Sequence, residues 1–208
     1  MSERKTETVR PAGEARPQAK SRKRRVFSRF RRAQDGAAAV EFGFVALPFL
    51  MLLWAIFETG LMFWTSQVLE EALSQASRSI VTGQSRDLYK STDPVTNAAA
   101  FRDAICARAP LGLIDCNKLS IDVRSYADFS TASSGTASNN PLAGGKLDTS
   151  SFSYSQPGPG QIVVVRAVLD YKLFLTVWAS EALSNIGDAG SGRRGLIASV
   201  AFRTEPFI

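Results

Sequence analysis

The sequence predicts an α+β protein in which a long N-terminal transmembrane helix continues into a small domain with an antiparallel sheet. Three observations predict this fold class. Residues 37–57 are apolar except for Glu41, residues 65–83 carry apolar side chains at helical spacing, and residues 84–208 contain three strand-like segments. The chain is therefore expected to comprise a leader, a transmembrane segment, a helical extension and an exported domain, at residues 1–36, 37–64, 65–83 and 84–208.

Basic residues are concentrated before the apolar run. Residues 1–35 hold 12 Lys and Arg against 4 Asp and Glu, whereas the rest of the chain holds 13 against 15. Lys and Arg beside one end of a span keep that end in the cytoplasm, so the chain after Trp64 is expected to lie in the periplasm, outside the inner membrane. The cluster can also lie against anionic lipid headgroups. The leader has few large apolar residues and is expected to be disordered.

A nucleic-acid-binding arm is the competing interpretation of the basic residues 22–25. No aromatic platform and no binding fold accompany them in the sequence. The sequence therefore predicts no nucleic-acid partner.

The apolar run has the length of a membrane span. Its 21 residues, from Ala37 to Phe57, extend about 30 Å as a helix, the thickness of a bilayer's hydrocarbon core. The run is too long for the apolar region of a secretory signal, and no small-x-small cleavage site follows it. Pro48 predicts a bend that membrane helices tolerate. Ala39 and Gly43 offer a small-residue face for helix contact, at a spacing that is common by chance.

The outer end of the span carries aromatic residues suited to a membrane interface, and the helix is expected to continue beyond it. Glu58 is interpreted as a solvated residue at this interface. Gly83 is the predicted stop of the helix. The aromatic residues are Trp54, Phe63 and Trp64, and the apolar stripe that follows is Val68, Leu69, Ala72, Leu73, Ala76 and Ile80. The stripe must pack against something, and the following domain is the expected partner.

The domain is predicted to contain one helix and three main strands. Asp93 is placed to cap the helix at its N-terminus. The helix is expected at 94–109, and the strands at 119–124, 161–171 and 196–203. A long surface loop is expected at 129–160, holding a short strand at 152–154, and a short amphipathic helix or hairpin edge and a glycine-rich loop at 173–183 and 187–195.

Cys106 and Cys116 are the only cysteines, ten residues apart on the side expected to be exported. We expect a disulfide between them because the bacterial periplasm is oxidising. A metal site is the alternative, but the chain has no histidine, so carboxylates would have to supply the other ligands, which disfavours zinc.

The chain also lacks the residues of common catalytic centres. Without histidine there is no Ser-His or Cys-His nucleophile and no imidazole acid or base. The glycine-rich stretches at 144–146 and 187–192 are interpreted as turns, since neither is set between a strand and a helix as a phosphate-binding loop requires. The sequence therefore predicts no enzymatic activity, no cofactor, no metal and no small-molecule substrate.

Several motifs resemble those of one family. Residues 35–42 read DGAAAVEF and precede Leu47-Pro48 in the apolar run, and this stretch resembles the TadE-like family of pilus assembly proteins, minor pseudopilins of the Tad (Flp) type IVb pilus. Residues 78–84 (RSIVTGQ) and 201–207 (AFRTEPF) are similar to later segments of that family, as is the cysteine pair before a strand. The resemblance covers residues 36–208 and implies a pilin-like fold, whereas the leader is longer than the family pattern.

The resemblance implies a maturation step and a set of partners. Precursors of this kind resemble prepilins, which a prepilin peptidase cuts on the cytoplasmic face after the glycine of a Gly-x-x-x-x-Glu-aromatic motif. Cleavage is thus expected between Gly36 and Ala37, so that Glu41 becomes the fifth residue of the mature chain and Phe42 follows it. The implied partners are the inner membrane, the prepilin peptidase, other pilins and pseudopilins, and Tad assembly proteins. The alternative is an uncleaved single-span envelope protein with a periplasmic binding or sensing domain.

Overall fold

A computed structural model describes residues 35–137, 140–174, 184–186 and 191–206. The helices are α1 (Asp35–Val81), the single-turn α2 (Ser85–Leu88), α3 (Pro94–Cys106) and α4 (Phe129–Ala137), and the strands are β1 (Leu119–Tyr126), β2 (Ile162–Lys172) and β3 (Arg193–Arg203). Short 3-10 turns lie at Pro110–Gly112, Cys116–Lys118 and Ala143–Gly145. The predicted fold class, a long apolar helix followed by a small domain with an antiparallel sheet, is confirmed.

The chain divides within α1 into two compact units, Met1–Leu50 and Met51–Ile208. The described part of the first unit is helical throughout and includes Pro48. Its large apolar side chains are exposed to the surroundings of the protein: Val40, Phe42, Phe44, Val45, Leu47, Phe49 and Leu50. Nothing in the described chain buries them, so water is an unsuitable environment for this part of α1.

In the second unit α1 has two different faces. The predicted stripe lies in the hydrophobic core, where Val68 is partly buried and the other members are fully buried: Leu69, Ala72, Leu73, Ala76 and Ile80. Met62, in the same core, and Thr65, a buried polar residue, precede the stripe. The helix ends at Val81, and Gly83 follows with a φ of 77°, a conformation that glycine adopts without strain. The Gly83 amide donates to the Ile80 carbonyl at 3.2 Å, so the predicted stop signal is confirmed.

The sheet has the order β1-β2-β3, and both neighbouring pairs are antiparallel. One face of β2 is apolar and packs in one cluster with the α1 stripe and with α3, and Tyr171 near the end of this face is partly buried. The β2 residues of this face are Val163, Val165, Ala167 and Leu169. Tyr89, Phe101 and Tyr154 close one part of the cluster, with neighbouring ring centroids 5.5–6.2 Å apart. Burial of this apolar area is the main term that stabilises the domain.

The opposite face of the sheet is also covered, which the sequence interpretation missed. Asp122 in β1 is only 1% exposed and lies directly across from Arg166 in β2. Its carboxylate accepts hydrogen bonds from the Arg166 guanidinium at 2.7 Å, from Arg124 at 3.0 Å and from the Ser153 amide at 3.1 Å. A buried ion pair of this kind is tolerated because the remaining lone pairs of the carboxylate are also satisfied.

The prediction of a loop through residues 129–160 is wrong at its start, where α4 lies. Asp128 caps this helix, since its carboxylate accepts from the Thr131 amide at 2.8 Å. Gly135 lies against the ring of Tyr126, and a Cβ built there would be 2.7 Å from the nearest ring atom. The Ser, Thr and Gly of α4 have low helix propensity, so the cap and this close contact, rather than local preference, favour the helix.

Other predicted elements of the domain need adjustment. The short strand predicted at 152–154 is reduced to one parallel bridge between Val123 and Tyr154. Helix α3 ends at Cys106, three residues early, and β3 begins at Arg193, three residues before its predicted start and inside the predicted glycine-rich loop. The predictions for residues 1–34, 175–183 and 187–190 lie outside the described residues.

Asp93 caps α3 as predicted. Its carboxylate accepts from the Val95 and Thr96 amides at 3.1 Å, and it is exposed. Hydrogen bonds from the Thr96 hydroxyl and the Val95 amide hold the pKa of Asp93 below its ordinary value. Because the folded pKa is depressed, the cap's contribution is present above the unfolded pKa and is lost as pH falls through the folded pKa.

A disulfide joins Cys106, at the end of α3, to Cys116, in the 3-10 turn before β1, with the two Cα atoms 6.1 Å apart. The double substitution Cys106→Ser with Cys116→Ser should lower the free energy of unfolding by about 2–3 kcal/mol, because the unfolded chain gains the freedom of the opened loop. Thermal unfolding of the full chain in detergent, followed by near-UV circular dichroism, measures this. Reduced wild-type protein should match the double variant, and equal stability of oxidised and reduced protein would contradict the prediction.

The substitution Asp122→Asn should be more damaging than a change to a surface acid. It leaves the Arg166 charge buried without its counter-charge, which should cost about 3–5 kcal/mol of unfolding free energy. The matched control is Asp103→Asn, because Asp103 pairs with Arg102 on the surface and that pair should contribute less than about 1 kcal/mol. The same unfolding experiment compares them, and similar losses in both variants would show that the buried pair has no special weight.

Candidate functional site

One described helix, Gly36–Val81, is long and apolar enough to cross a membrane by its length and composition. None of its most apolar 18-residue stretch is buried in the protein. The helix thus indicates a single-pass membrane protein. The candidate site residues lie along this helix, from its exposed start to the point where the domain covers it.

The four residues of the predicted processing motif lie in the first two turns of α1. Ala37, Glu41 and Phe42 are exposed, and Gly36 is half-buried. Ala37 and Glu41 are four residues apart, so in a helix they lie on the same face with their Cβ atoms about 5–6 Å apart. The structure therefore places the residue that would become the N-terminus one turn from the only acid of the apolar run.

Two glycines near the start of α1 have no close neighbour in the described chain that would exclude a larger side chain. A Cβ added at Gly36 or at Gly43 would meet nothing within 4 Å. Glycine inside a helix costs about 1 kcal/mol relative to alanine. Packing within the described chain therefore does not account for either glycine.

Glu58 marks the point where the domain begins to cover α1, and its interpretation as a solvated residue is wrong. The side chain is only 2% exposed. Both carboxylate oxygens accept the backbone N–H of Phe174, each at 3.1 Å. Burial raises the pKa of Tyr171 above its ordinary value, and the nearby charge of Glu58 adds to that rise. Glu58 therefore connects the membrane helix to the chain just after β2.

A second connection joins two of the sequence motifs that the resemblance singles out. The amide of Glu205, in the motif at 201–207, donates to the carbonyl of Val81, in the motif at 78–84, at 3.0 Å. Thr204 is buried next to this bond, where its hydroxyl donates to the Gly158 carbonyl at 2.7 Å and its amide donates to the Gln161 carbonyl at 2.9 Å. The end of β3 is thereby attached to the end of α1.

No catalytic or metal-binding arrangement is evident among the residues that the structure describes. Within them, no group of three or more His, Cys, Asp or Glu side chains could hold a metal ion. Cys106 and Cys116 are joined to each other, and Asp122 is engaged by two arginines.

Sequence reasoning missed Glu58 as a site residue, although a signal for it was present. Glu58, Met62, Thr65 and Leu69 are spaced at intervals of four, three and four residues, which is one face of a helix. The buried face of α1 thus begins ten residues before Val68, where the sequence interpretation started it. Glu58 and Thr65 were not counted because they are polar.

Comparison with known families agrees with the N-terminal resemblance. Residues 36–78 match the model of the family described as TadE-like protein. The match begins at Gly36, includes the processing motif and ends near the end of α1. No curated protein and no solved structure matches the chain.

Removal of the Glu58 carboxylate should loosen the chain after β2. In Glu58→Ala the Phe174 amide loses its acceptor, and because a hydrogen bond to a carboxylate contributes about 1.5–3 kcal/mol, hydrogen exchange of this amide should accelerate about tenfold. Exchange measured on the full chain in detergent tests this. The control is Glu70→Ala, on the exposed face of the same helix. Equal exchange at Phe174 in wild type and Glu58→Ala would show that the contact adds no stability.

Proposed function

We propose, from the match of residues 36–78 to the TadE-like family, that this chain is a minor pseudopilin of the Tad (Flp) type IVb pilus. The family match implies involvement in Tad pilus assembly as a structural component. The finer proposal is that a prepilin peptidase matures the chain between Gly36 and Ala37, and that α1 then packs into the assembly machinery. The observation that carries it is Gly36 followed by Glu41 at the start of an exposed apolar helix.

Cleavage would give Glu41 a counter-charge. A carboxylate inside a membrane costs about 3 kcal/mol at the helix centre and less near an interface. A new α-amino group at Ala37 lies one helical turn from Glu41 and on the same face, so it can neutralise that charge within the chain. An amino group on a neighbouring subunit can do the same, and it then aligns two helices.

The glycines of α1 support helix contact in the assembled state. Gly43 leaves open space on the helix surface, with Ala39 one turn before it. Small residues at this spacing let two membrane helices approach closely. Gly36 suits a peptidase substrate, because a side chain would obstruct the backbone in a narrow cleft.

The topology follows from the charge pattern. The basic leader, including Arg29, Arg31 and Arg32, is proposed to stay on the cytoplasmic side, against anionic lipid, while the chain is cut. The domain then lies in the periplasm, and the Cys106–Cys116 disulfide suits that oxidising compartment. Its surface is the proposed contact site for other pilins and Tad assembly proteins.

Maturation should yield a chain that begins at Ala37. The experiment expresses the full chain in membranes with and without an active prepilin peptidase, and determines intact mass and N-terminal sequence. Gly36→Arg should block maturation, whereas the control Gly43→Ala should leave it unchanged because Gly43 lies beyond the cleavage motif. Recovery of only the full-length chain beside an active peptidase would instead favour an uncleaved single-span envelope protein.

Glu41→Gln should reduce pilus assembly, because the neutral side chain no longer attracts an amino group. We expect a loss of at least about tenfold in assembled pili, measured by surface pilin in a strain that depends on this chain. The control is Glu70→Gln, beyond the span. Normal maturation and normal pili in Glu41→Gln would remove the proposed role of this acid.

A further inference from the structure

We propose that the domain docks on the phospholipid headgroup layer next to α1, through a surface formed by Phe174, Lys172 and Lys118 that binds anionic headgroups. This group of residues is called the docking surface below. The proposal rests on α1 crossing a membrane and not on processing or pilus assembly.

The length of α1 determines how deep in the bilayer each of its residues lies. Residues 37–57 extend about 30 Å and fill the hydrocarbon core, and residues 37–64 extend about 42 Å, which matches a bilayer with its headgroups. Residues 58–64 of α1 therefore lie at the level of one headgroup layer. The chain that is hydrogen-bonded to Glu58, at Phe174, therefore lies at that same level.

At the headgroup level, α1 has one buried side and one exposed side. Glu58, Met62 and Thr65 are buried against the domain. On the other side of the same turns, Phe57, Phe63 and Trp64 are exposed. The helix thus contacts the domain with one side while it keeps an aromatic side suited to a lipid interface. The domain begins where the hydrocarbon core ends.

Phe174 presents an exposed ring at the same level. Its backbone N–H is bound by both oxygens of Glu58, each at 3.1 Å, so its position follows that of the helix. Its side chain is 69% exposed, and its ring lies 6.5 Å from that of Tyr171 in an edge-to-face arrangement. An exposed phenyl ring held at headgroup level can insert among the lipids beside it.

Two lysines lie beside Phe174 on the surface of the domain. Lys118 and Lys172 are exposed and line, together with Phe174, one surface cavity of about 390 Å³. In the described part of the chain neither lysine forms an ion pair with a carboxylate. Asp170 of the same cavity pairs with Arg193, and Asp115 accepts only a neutral donor, the Asn117 amide, so the lining holds three basic residues against two acids. The cavity thus presents two available ammonium groups, which suit the phosphate of an anionic lipid.

The geometry also accounts for the burial of Glu58. At the edge of the hydrocarbon core a carboxylate has little water to hydrogen-bond, and the Phe174 amide takes the place of that water. The contact holds the docking surface against the membrane, so the domain has a preferred orientation on it. A zwitterionic membrane lacks the net charge to engage the two lysines.

The test places the full chain in nanodiscs of phosphatidylcholine alone or of phosphatidylcholine with phosphatidylglycerol, and measures hydrogen exchange of residues 112–118 and 169–174. We expect exchange to slow about fivefold in the anionic discs. Lys118→Gln with Lys172→Gln should abolish this difference. Phe174→Ser should weaken protection in both kinds of disc, because it removes the ring but keeps the amide that binds Glu58.

The matched control is Lys90→Gln, which should retain the full effect. Lys90 is exposed and lies nine residues after Val81, the end of α1 about 35 Å along the helix from Glu58. Equal exchange in both kinds of disc would overturn the proposal. Protection by excess inorganic phosphate in phosphatidylcholine discs would also overturn it, because the cavity would then bind free anions rather than a membrane surface. None of these outcomes depends on peptidase cleavage.

Discussion

One continuous helix, α1, has to satisfy lipid along its first half and a packed protein core along its second half, and the change between them occurs at Glu58. Between Gly36 and Phe57 the helix is apolar except for Glu41 and no residue is buried, whereas from Glu58 onward one side is buried. The carboxylate is acceptable at this boundary because both of its oxygens accept the Phe174 amide. The position of the domain beside the helix follows from this contact and from the apolar stripe that continues to Ile80.

The domain is small, and it depends on covering both faces of a three-stranded sheet. The α1 stripe and α3 cover one face, where apolar burial is the main stabilising term. On the other face the buried pair Asp122–Arg166 holds β1 to β2, and α4 packs close to Tyr126. The Cys106–Cys116 disulfide then restrains the connection between α3 and β1. A small sheet needs a buried apolar face or a helix packed against it to be stable by itself, and this sheet has both.

The family match and the structure inform on different parts of the chain. The match covers residues 36–78, which is most of α1, and says nothing of the domain. The structure adds that the chain around Glu205 returns to Val81, so the last motif of the sequence lies against the end of the matched helix. The domain is thus attached to α1 at two points, Glu58 and Val81.

The sequence alone determined what depends on local pattern. Apolar length indicated the membrane span, 3.6-residue periodicity predicted the stripe, Asp93 and Gly83 marked helix ends, and alternation with β-branched residues located β1 and β2. Each of these signals lies within a few residues of what it predicts, so no knowledge of the fold was needed.

Only the tertiary structure decided the fate of the polar residues. Glu58 is buried because a partner 116 residues later reaches it, and Asp122 because Arg166, 44 residues later, lies across the sheet. Helix α4 forms, despite weak propensity, where Tyr126 and the sheet give it a surface. Polarity predicts exposure only while no distant group satisfies the charge, and which distant group does so is determined by the packing of the whole chain.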